Sequence, residues 1–240
     1  MIEASLNYLR DGDDALVTTL IGGVLLLASP LLIPSFLVLG YLARVIRRTA
    51  DGDDEPPAFD EWGDLLVEGL KAFAVTFVYS LVPLAVLAVA AAFGVGAAVL
   101  GSAEGAGGLL GGLVGGLVAL ALVVVALAAS LAGLYVTPAA LAAVAESGRV
   151  GDGFALGTLW GIVTKRAYAV GWLTAAAVVF AGALAIGVLS IVPVLGTIAG
   201  FFVQFYAVVA AAAIIGWTWA DVRPVTAEPT EAEPAERPVV

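Results

Sequence analysis

The chain has 240 residues, of which 62% are hydrophobic and only 12% are charged, and its mean hydropathy is +1.08. A soluble domain is about half apolar and a quarter charged, so this composition excludes a purely soluble protein and predicts that a bilayer surrounds much of the chain. The net charge of −10 disfavours nucleic acid as a partner, because the phosphate backbone is also negative.

Five hydrophobic blocks follow one another along the chain, at about 15–43, 72–100, 109–141, 167–189 and 194–219. The charge-free stretches that contain them each exceed about 20 residues, the length of a membrane-spanning helix. The blocks lack period-2 alternation, and a backbone in lipid must satisfy its own hydrogen bonds, which favours helices. The sequence therefore predicts an all-α, polytopic transmembrane helix bundle forming one membrane domain, residues 15–220.

The first block follows a polar N-terminal segment, residues 1–14, and contains Pro30 and Pro34. Proline removes a backbone donor and kinks or breaks a helix. The block therefore predicts either one crossing or two short ones. One crossing places the N-terminus outside and makes five passes; two crossings place it inside and make six.

Basic residues orient the blocks, because cytoplasmic loops of membrane proteins carry an excess of Lys and Arg. Such residues lie in the segments 44–71 and 146–166 and near the C-terminus, whereas the connections at 101–108 and 190–196 carry none. We therefore expect both longer loops and the C-terminus to be cytoplasmic, in the plasma membrane. Residues 221–240 are rich in Pro, Glu and Ala, which predicts a disordered acidic tail.

The first of these loops begins with three arginines, Arg44, Arg47 and Arg48, and continues with the acids Asp51, Asp53, Asp54 and Glu55. We expect the arginines to keep this end of the block inside, to hold lipid phosphates, or to pair with acids of the same loop: Asp51, Asp60 or Asp64. The acids lack the spacing of an EF-hand calcium loop. A hydrated acidic loop is therefore favoured over a cation site.

Residues 60–73 place one apolar stripe opposite an acidic face, which predicts an amphipathic helix in the cytoplasmic interface. Asp60 is the expected N-cap, and the stripe consists of Trp62, Leu65, Leu66, Gly69, Leu70 and Phe73. The helix is expected to anchor and orient the following span, or to dock a partner.

Residues 154–173 repeat the pattern of residues 59–78. A parallel duplication of about 15–100 and 109–219 explains the likeness, and so does the general enrichment of basic and aromatic residues at membrane interfaces. These two segments and the three arginines that precede the first of them supply the candidate residues for lipid contact or topology: Arg44, Arg47, Arg48, Trp62, Lys71, Trp160, Lys165 and Arg166.

Residues 105–116 carry glycines at small-x-x-x-small spacing, which lets helices approach closely. Packing within the chain is the favoured use of this stripe, and formation of a homo-oligomer is the alternative.

The segment Ile21–Phe73 resembles the membrane proteins of halophilic archaea that are grouped as domain-of-unknown-function family 4013. The elements that carry the likeness are Gly40-Tyr41, Arg44, Arg47, Glu55-Pro56-Pro57, Phe59, Trp62-Gly63 and Gly69-Leu70-Lys71, with weaker echoes at 138–143 and 153–154. The resemblance extends over about residues 5–220 and implies a multi-pass membrane protein without assigned catalytic residues. The acid-rich, lysine-poor composition is also similar to that of proteins from salt-loving archaea.

The sequence contains neither Cys nor His, which excludes disulfides and thiolate ligands and removes the usual general base. We therefore expect no cofactor, no metal and no enzymatic activity. The favoured function is a membrane scaffold, a lipid-organising element or a subunit of a larger assembly, with membrane lipids and another membrane protein as partners. A transporter or exporter of an apolar or amphipathic solute is the alternative, and a lipid-modifying enzyme is the third hypothesis.

Overall fold

The computed structural model of the protein describes residues 1–12 and 14–223. Within this part of the chain all regular structure is helical, which confirms the all-α prediction. The helices are α1 (Ile2–Tyr8), α2 (Ala15–Leu27), α3 (Ile33–Ala50), α4 (Trp62–Gly101), α5 (Ala106–Ser147), α6 (Leu156–Val163), α7 (Arg166–Leu189) and α8 (Leu195–Val222). Four of them, α4, α5, α7 and α8, are long and apolar enough to cross a membrane.

The first hydrophobic block is not one continuous helix. It divides into α2 and α3, joined by a short 3-10 turn over Ser29–Leu31. Pro30 and Pro34 each occupy the first turn of a helix, where a missing backbone donor costs nothing. Neither α2 nor α3 is among the four candidate spans, because each is shorter than about 20 apolar residues.

The helices form three hairpins, α2–α3, α4–α5 and α7–α8. The tips of the hairpins are residues 28–32, 102–105 and 190–194. The other ends meet at one surface, here called the loop face, which contains residues 51–61, 148–165 and Arg223. Lys71 Nζ donates to the carbonyl oxygen of Gly148 at 2.9 Å, and Lys165 Nζ donates to that of Val222 at 2.6 Å.

The N-terminal residues also lie at the loop face. Tyr8 packs edge-on against Trp217, with ring centroids 6.0 Å apart, and Gly12 approaches the ring of Pro56. The beginning of α2 and the end of α3 are therefore on the same side of the bundle, and the single crossing that places the N-terminus opposite the 44–71 loop is not observed.

Helix α8 is the centre of the bundle. Residues 209–216 are all buried, and four of them are consecutive alanines, 210–213, whose small side chains let neighbouring helices approach. Gly216 lies against Thr49 and the carbonyl oxygen of Ile46 in α3.

Helix α4 meets α3 at two glycines that face each other. A Cβ atom on Gly40 would collide with the carbonyl oxygen of Leu65, and one on Gly69 would collide with that of Phe36. This close backbone approach fixes the start of α4 against α3.

The predicted interfacial helix at residues 60–73 is not a separate element but the first part of α4. The N-cap is Glu61, with φ of 46°, rather than Asp60. Leu65 is buried against α3, whereas Trp62 and Leu70 remain 46% and 54% exposed. In the second segment the chain does break, between α6 and α7, so the two copies of the predicted repeat differ here.

The glycine stripe packs mainly inside the α4–α5 hairpin. Gly112 lies against the Cα of Gly101, and Gly115 lies against Ala97. This agrees with the intramolecular use of the stripe. Of the predicted acidic tail, Asp221 and Val222 belong to α8, and residues 224–240 lie outside the described residues.

Candidate functional site

An apolar cavity of about 490 Å³ lies between α3, α4, α5, α7 and α8. This volume is within the range of about 300–1,000 Å³ that is typical of small-molecule sites. Alanines supply much of the wall and leave the space open. The lining residues are Leu39, Leu42, Ala43, Ile46, Ala72, Leu134, Pro138, Leu141, Trp172, Ala175, Ala176, Val179, Phe180, Ala183, Val208, Ala211, Ala212 and Ile215.

The cavity opens sideways between α5 and α7. Leu134 and Phe180, one from each of these helices, line it and are 60% and 65% exposed. The rim of the cavity is therefore part of the apolar outer surface that a bilayer would cover.

A proline and a tryptophan shape this rim. Pro138 lies inside α5 and has no N–H to donate to the carbonyl oxygen of Leu134, four residues earlier. The indole Nε1 of Trp172 donates to that oxygen instead, at 3.1 Å. This bond ties α7 to α5 and holds the indole at the cavity wall.

A small polar pocket of about 60 Å³ adjoins the cavity on the side of the loop face. Ala43, Ala72 and Leu141 line both spaces. The polar pocket is named for three charged side chains, Arg47, Glu68 and Lys71, and Val144, Ala145 and Gly148 complete its wall. The apolar cavity is thus capped by charged groups at one end.

Glu68 lies between two arginines of α3. Arg47 donates to its Oε1 at 2.7 Å, and the Nε of Arg44 is 3.7 Å from its Oε2. The side chain of Arg44 is only 9% exposed and also pairs with Asp60 at 2.7 Å and with Glu61 at 3.5 Å. Arg44 is therefore surrounded by carboxylates, as the predicted pairing with Asp60 requires.

The ammonium of Lys71 has a different environment. It donates to the carbonyl oxygen of Gly148, and no carboxylate of the described residues lies within 4.0 Å of it. A lysine ammonium has three donors, so further donors of Lys71 are available to a ligand.

Most of the residues that form the cavity and the polar pocket lie in a segment that matches one known protein family. The family described as "Protein of unknown function (DUF4013)" matches residues 23–191, which is more than half of the chain. The chain belongs to this family. No curated protein and no solved structure matches it.

The DUF4013 match confirms the resemblance drawn from residues 21–73, over a shorter range than the predicted 5–220. It includes the α3, α4, α5 and α7 walls of the cavity and the whole polar pocket. The α8 wall, residues 208–215, lies beyond the match.

The acidic loop of this DUF4013 protein is tied to the bundle. Arg48 pairs with Asp53 at 2.6 Å rather than with Asp51, and the backbone N–H of Glu55, together with Arg48, lowers the pKa of Asp53 below its usual value. Asp54 accepts from the indole of Trp217 at 2.7 Å. Among the described residues no group of three potential metal ligands occurs.

The remaining sequence-predicted residues lie away from the cavity. Trp62 packs near Phe59, with ring centroids 5.9 Å apart, and Trp160 is 70% exposed on α6. Lys165 binds the end of α8, and Arg166, the first residue of α7, lines a separate pocket near Met1. The structure therefore brings Arg44, Arg47 and Lys71 together and leaves the other candidates apart.

Sequence reasoning missed Glu68, Pro138 and Trp172 as parts of the site. A signal existed for Glu68, which lies three residues before Lys71 on one helix and so shares its face. Trp172 gave no such signal, because its partner is a carbonyl oxygen 38 residues away.

Proposed function

We propose that this DUF4013 protein is an integral membrane protein that binds and organises lipid through its apolar cavity and catalyses no reaction. The observation that carries the proposal is a cavity of about 490 Å³ with an apolar wall. It opens between α5 and α7, two helices long and apolar enough to cross a membrane. Lipid hydrocarbon is the apolar material that surrounds such helices.

The proposal includes an orientation in the plasma membrane, with the loop face in the cytoplasm. Every Lys and Arg of the described residues lies near this face, whereas the three hairpin tips carry Glu104 as their one charged residue. This distribution supports the orientation through the positive-inside rule.

The carboxylates of the loop face give little support to the hypothesis of a lipid-modifying enzyme. Asp60 and Glu61 both pair with Arg44, at 2.7 Å and 3.5 Å. Their pairing with Arg44 gives both carboxylates a structural role at the loop face.

The test is photo-cross-linking in vesicles. The full chain is placed in phosphatidylcholine vesicles that contain phosphatidylcholine with a photoactivatable acyl chain, and labelled residues are mapped by mass spectrometry. We expect labels on the residues that line the cavity. Ala176→Phe fills the cavity and should reduce this labelling, whereas Ala177→Phe places the same side chain on an exposed position next to it and should not. Equal labelling of the cavity in both variants would contradict the proposal.

Transport of an apolar solute is the second candidate, and the position of the cavity favours it. The cavity wall on α7, residues 172–183, is in the middle of the 24-residue helix, where carriers commonly bind their substrates. A vesicle assay that follows movement of spin-labelled phosphatidylcholine between leaflets separates the two. Faster movement in vesicles with the protein, abolished by Ala176→Phe, would favour the transporter.

A further inference from the structure

We propose that the polar pocket binds the headgroup of an anionic phospholipid, in which no cationic group offsets the phosphate charge, through Arg47 and Lys71, while the lipid chain occupies the apolar cavity. This inference rests on the proposed function and adds the chemical class of the ligand.

The first argument is that the two spaces are neighbours. Ala43, Ala72 and Leu141 line both of them, so the apolar cavity and the polar pocket meet at these three small or apolar side chains. An occupant of both must be apolar over most of its length and polar at one end. A membrane lipid has this division.

The second argument concerns charge. Arg47 and Lys71 contribute two positive charges to the polar pocket, and Glu68 contributes one negative charge. Glu68 is shared with Arg44 outside the pocket, which leaves an excess of positive charge at its wall. An anionic group is therefore favoured over a neutral or cationic one.

The third argument concerns available donors and size. Lys71 uses one donor on Gly148 and has others available, and a guanidinium and an ammonium are the side chains that bind phosphate oxygens best. The polar pocket has a volume of about 60 Å³, which is enough for about four water molecules. This matches one phosphate group better than a larger sugar headgroup.

Three other arginines of the loop face line neither the apolar cavity nor the polar pocket. Arg48 pairs with Asp53, and Arg223 pairs with Asp51 and Glu146. Arg149 pairs with Asp152 and is 77% exposed. Among the arginines and lysines that the sequence pointed to, Arg47 and Lys71 are the two that line the polar pocket.

The experiment compares two photoactivatable lipids with identical chains, phosphatidylglycerol and phosphatidylcholine, each in phosphatidylcholine vesicles containing the full chain. We expect phosphatidylglycerol to label the cavity more strongly, by about five-fold for each cation that contributes. Arg47→Gln and Lys71→Gln should each reduce this preference and leave phosphatidylcholine labelling unchanged. Arg149→Gln is the control at an exposed position and should preserve the preference.

For Glu68→Gln we expect the opposite effect on the preference for phosphatidylglycerol. It removes the negative charge of the pocket, so the preference for phosphatidylglycerol should increase. This variant keeps the proposal testable if a loss of Arg47 or Lys71 unfolds the protein, which the thermal midpoint of each variant reveals.

Three outcomes separate the possibilities. Equal labelling by both lipids, unaffected by the variants, would overturn this inference and leave the proposed function intact. Absence of cavity labelling by either lipid would overturn both. Absence of a phosphatidylglycerol preference, together with binding of inorganic phosphate that Lys71→Gln abolishes, would assign the pocket to free phosphate instead of a lipid headgroup.

Discussion

Two regions of the molecule are both strongly apolar but have opposite environments. Helix α8 and the helix α5 both contain strongly apolar windows, with mean hydropathies of 2.2 and 2.7, yet 50% of the window in α8 is buried by protein and only 6% of that in α5. In the outer part of the α4–α5 hairpin, residues 84–128, the buried residues are Ala90, Ala97, Gly108 and Ala126. Apolarity alone therefore does not distinguish a helix that the rest of the protein buries from one that it leaves exposed.

The difference follows from what each helix packs against. Helix α8 contacts α2, α3 and α7, whereas the outer hairpin packs mainly on itself. Helices α4 and α5 have 40 and 42 residues, or about 60 Å at 1.5 Å per residue, which is twice the roughly 30 Å hydrocarbon core of a bilayer. The outer hairpin thus extends past the part of the bundle that contains the cavity.

The largest expected effect comes from adding one methyl group in each region. Gly69→Ala forces a Cβ into the backbone of α3 and should lower the free energy of unfolding by at least about 1–3 kcal/mol. Gly116→Ala meets nothing within 4 Å and should be neutral or stabilise the helix by about 0.5–1 kcal/mol. Thermal unfolding in detergent measures both. Similar losses for the two variants would mean that the outer hairpin is packed as tightly as the inner bundle.

The second test compares a buried ion pair with an exposed one at the loop face. Arg44→Ala leaves Glu68 and Asp60 without their buried partner and should cost about 1–3 kcal/mol. Arg149→Ala removes an exposed pair and should cost at most about 1 kcal/mol. Denaturant titration of both variants checks the order. A larger loss of unfolding free energy for Arg149→Ala than for Arg44→Ala would contradict the expected difference between the buried and the exposed pair.

A smaller effect is expected where α7 meets the cavity rim. Trp172→Phe keeps an aromatic ring but leaves the carbonyl oxygen of Leu134 without its donor, and should cost about 0.5–1.5 kcal/mol. Trp160→Phe, at a position 70% exposed, serves as the control with the same chemical change. An unchanged unfolding midpoint for Trp172→Phe would show that the bond to Leu134 contributes little.

The smallest effect concerns pH at the N-terminal helix. Burial raises the pKa of Tyr8 above its usual value of 10.0, so the folded protein keeps this phenol protonated. The stability that results is present below pH 10 and is lost as the pH rises above the unfolded value. Tyr8→Phe should therefore lose less stability than the wild type when the pH is raised from 8 to 11, two values that lie on either side of the usual tyrosine pKa. Denaturant titration of both proteins at each pH measures the difference. If the wild type and Tyr8→Phe lose the same free energy of unfolding over this pH range, the side chain of Tyr8 is exposed to water and not buried.

Much of the fold was predictable from particular residues, and part of the site was not. The charge-free stretches predicted long apolar helices, and Pro30 and Pro34 marked the break in the first block. The continuity of α4 was not predictable, because an amphipathic stripe at 60–73 is equally consistent with a separate helix and with the buried first turns of a longer one. The pairing of Arg48 with Asp53, which is not among the acids expected to pair with the arginines, depended on the turn geometry of the loop.

Composition and charge order by themselves determined that this is an all-helical chain suited to a membrane, with its cations gathered on one side. The sequence motifs also determined its family. Only the tertiary structure decided that Arg47 and Lys71 meet at the end of an apolar cavity. These residues lie on different helices, and their distance from the cavity depends on the close contact of Gly40 with Leu65 and of Gly69 with Phe36. Such contacts arise between backbones, which hydropathy and charge patterns do not describe.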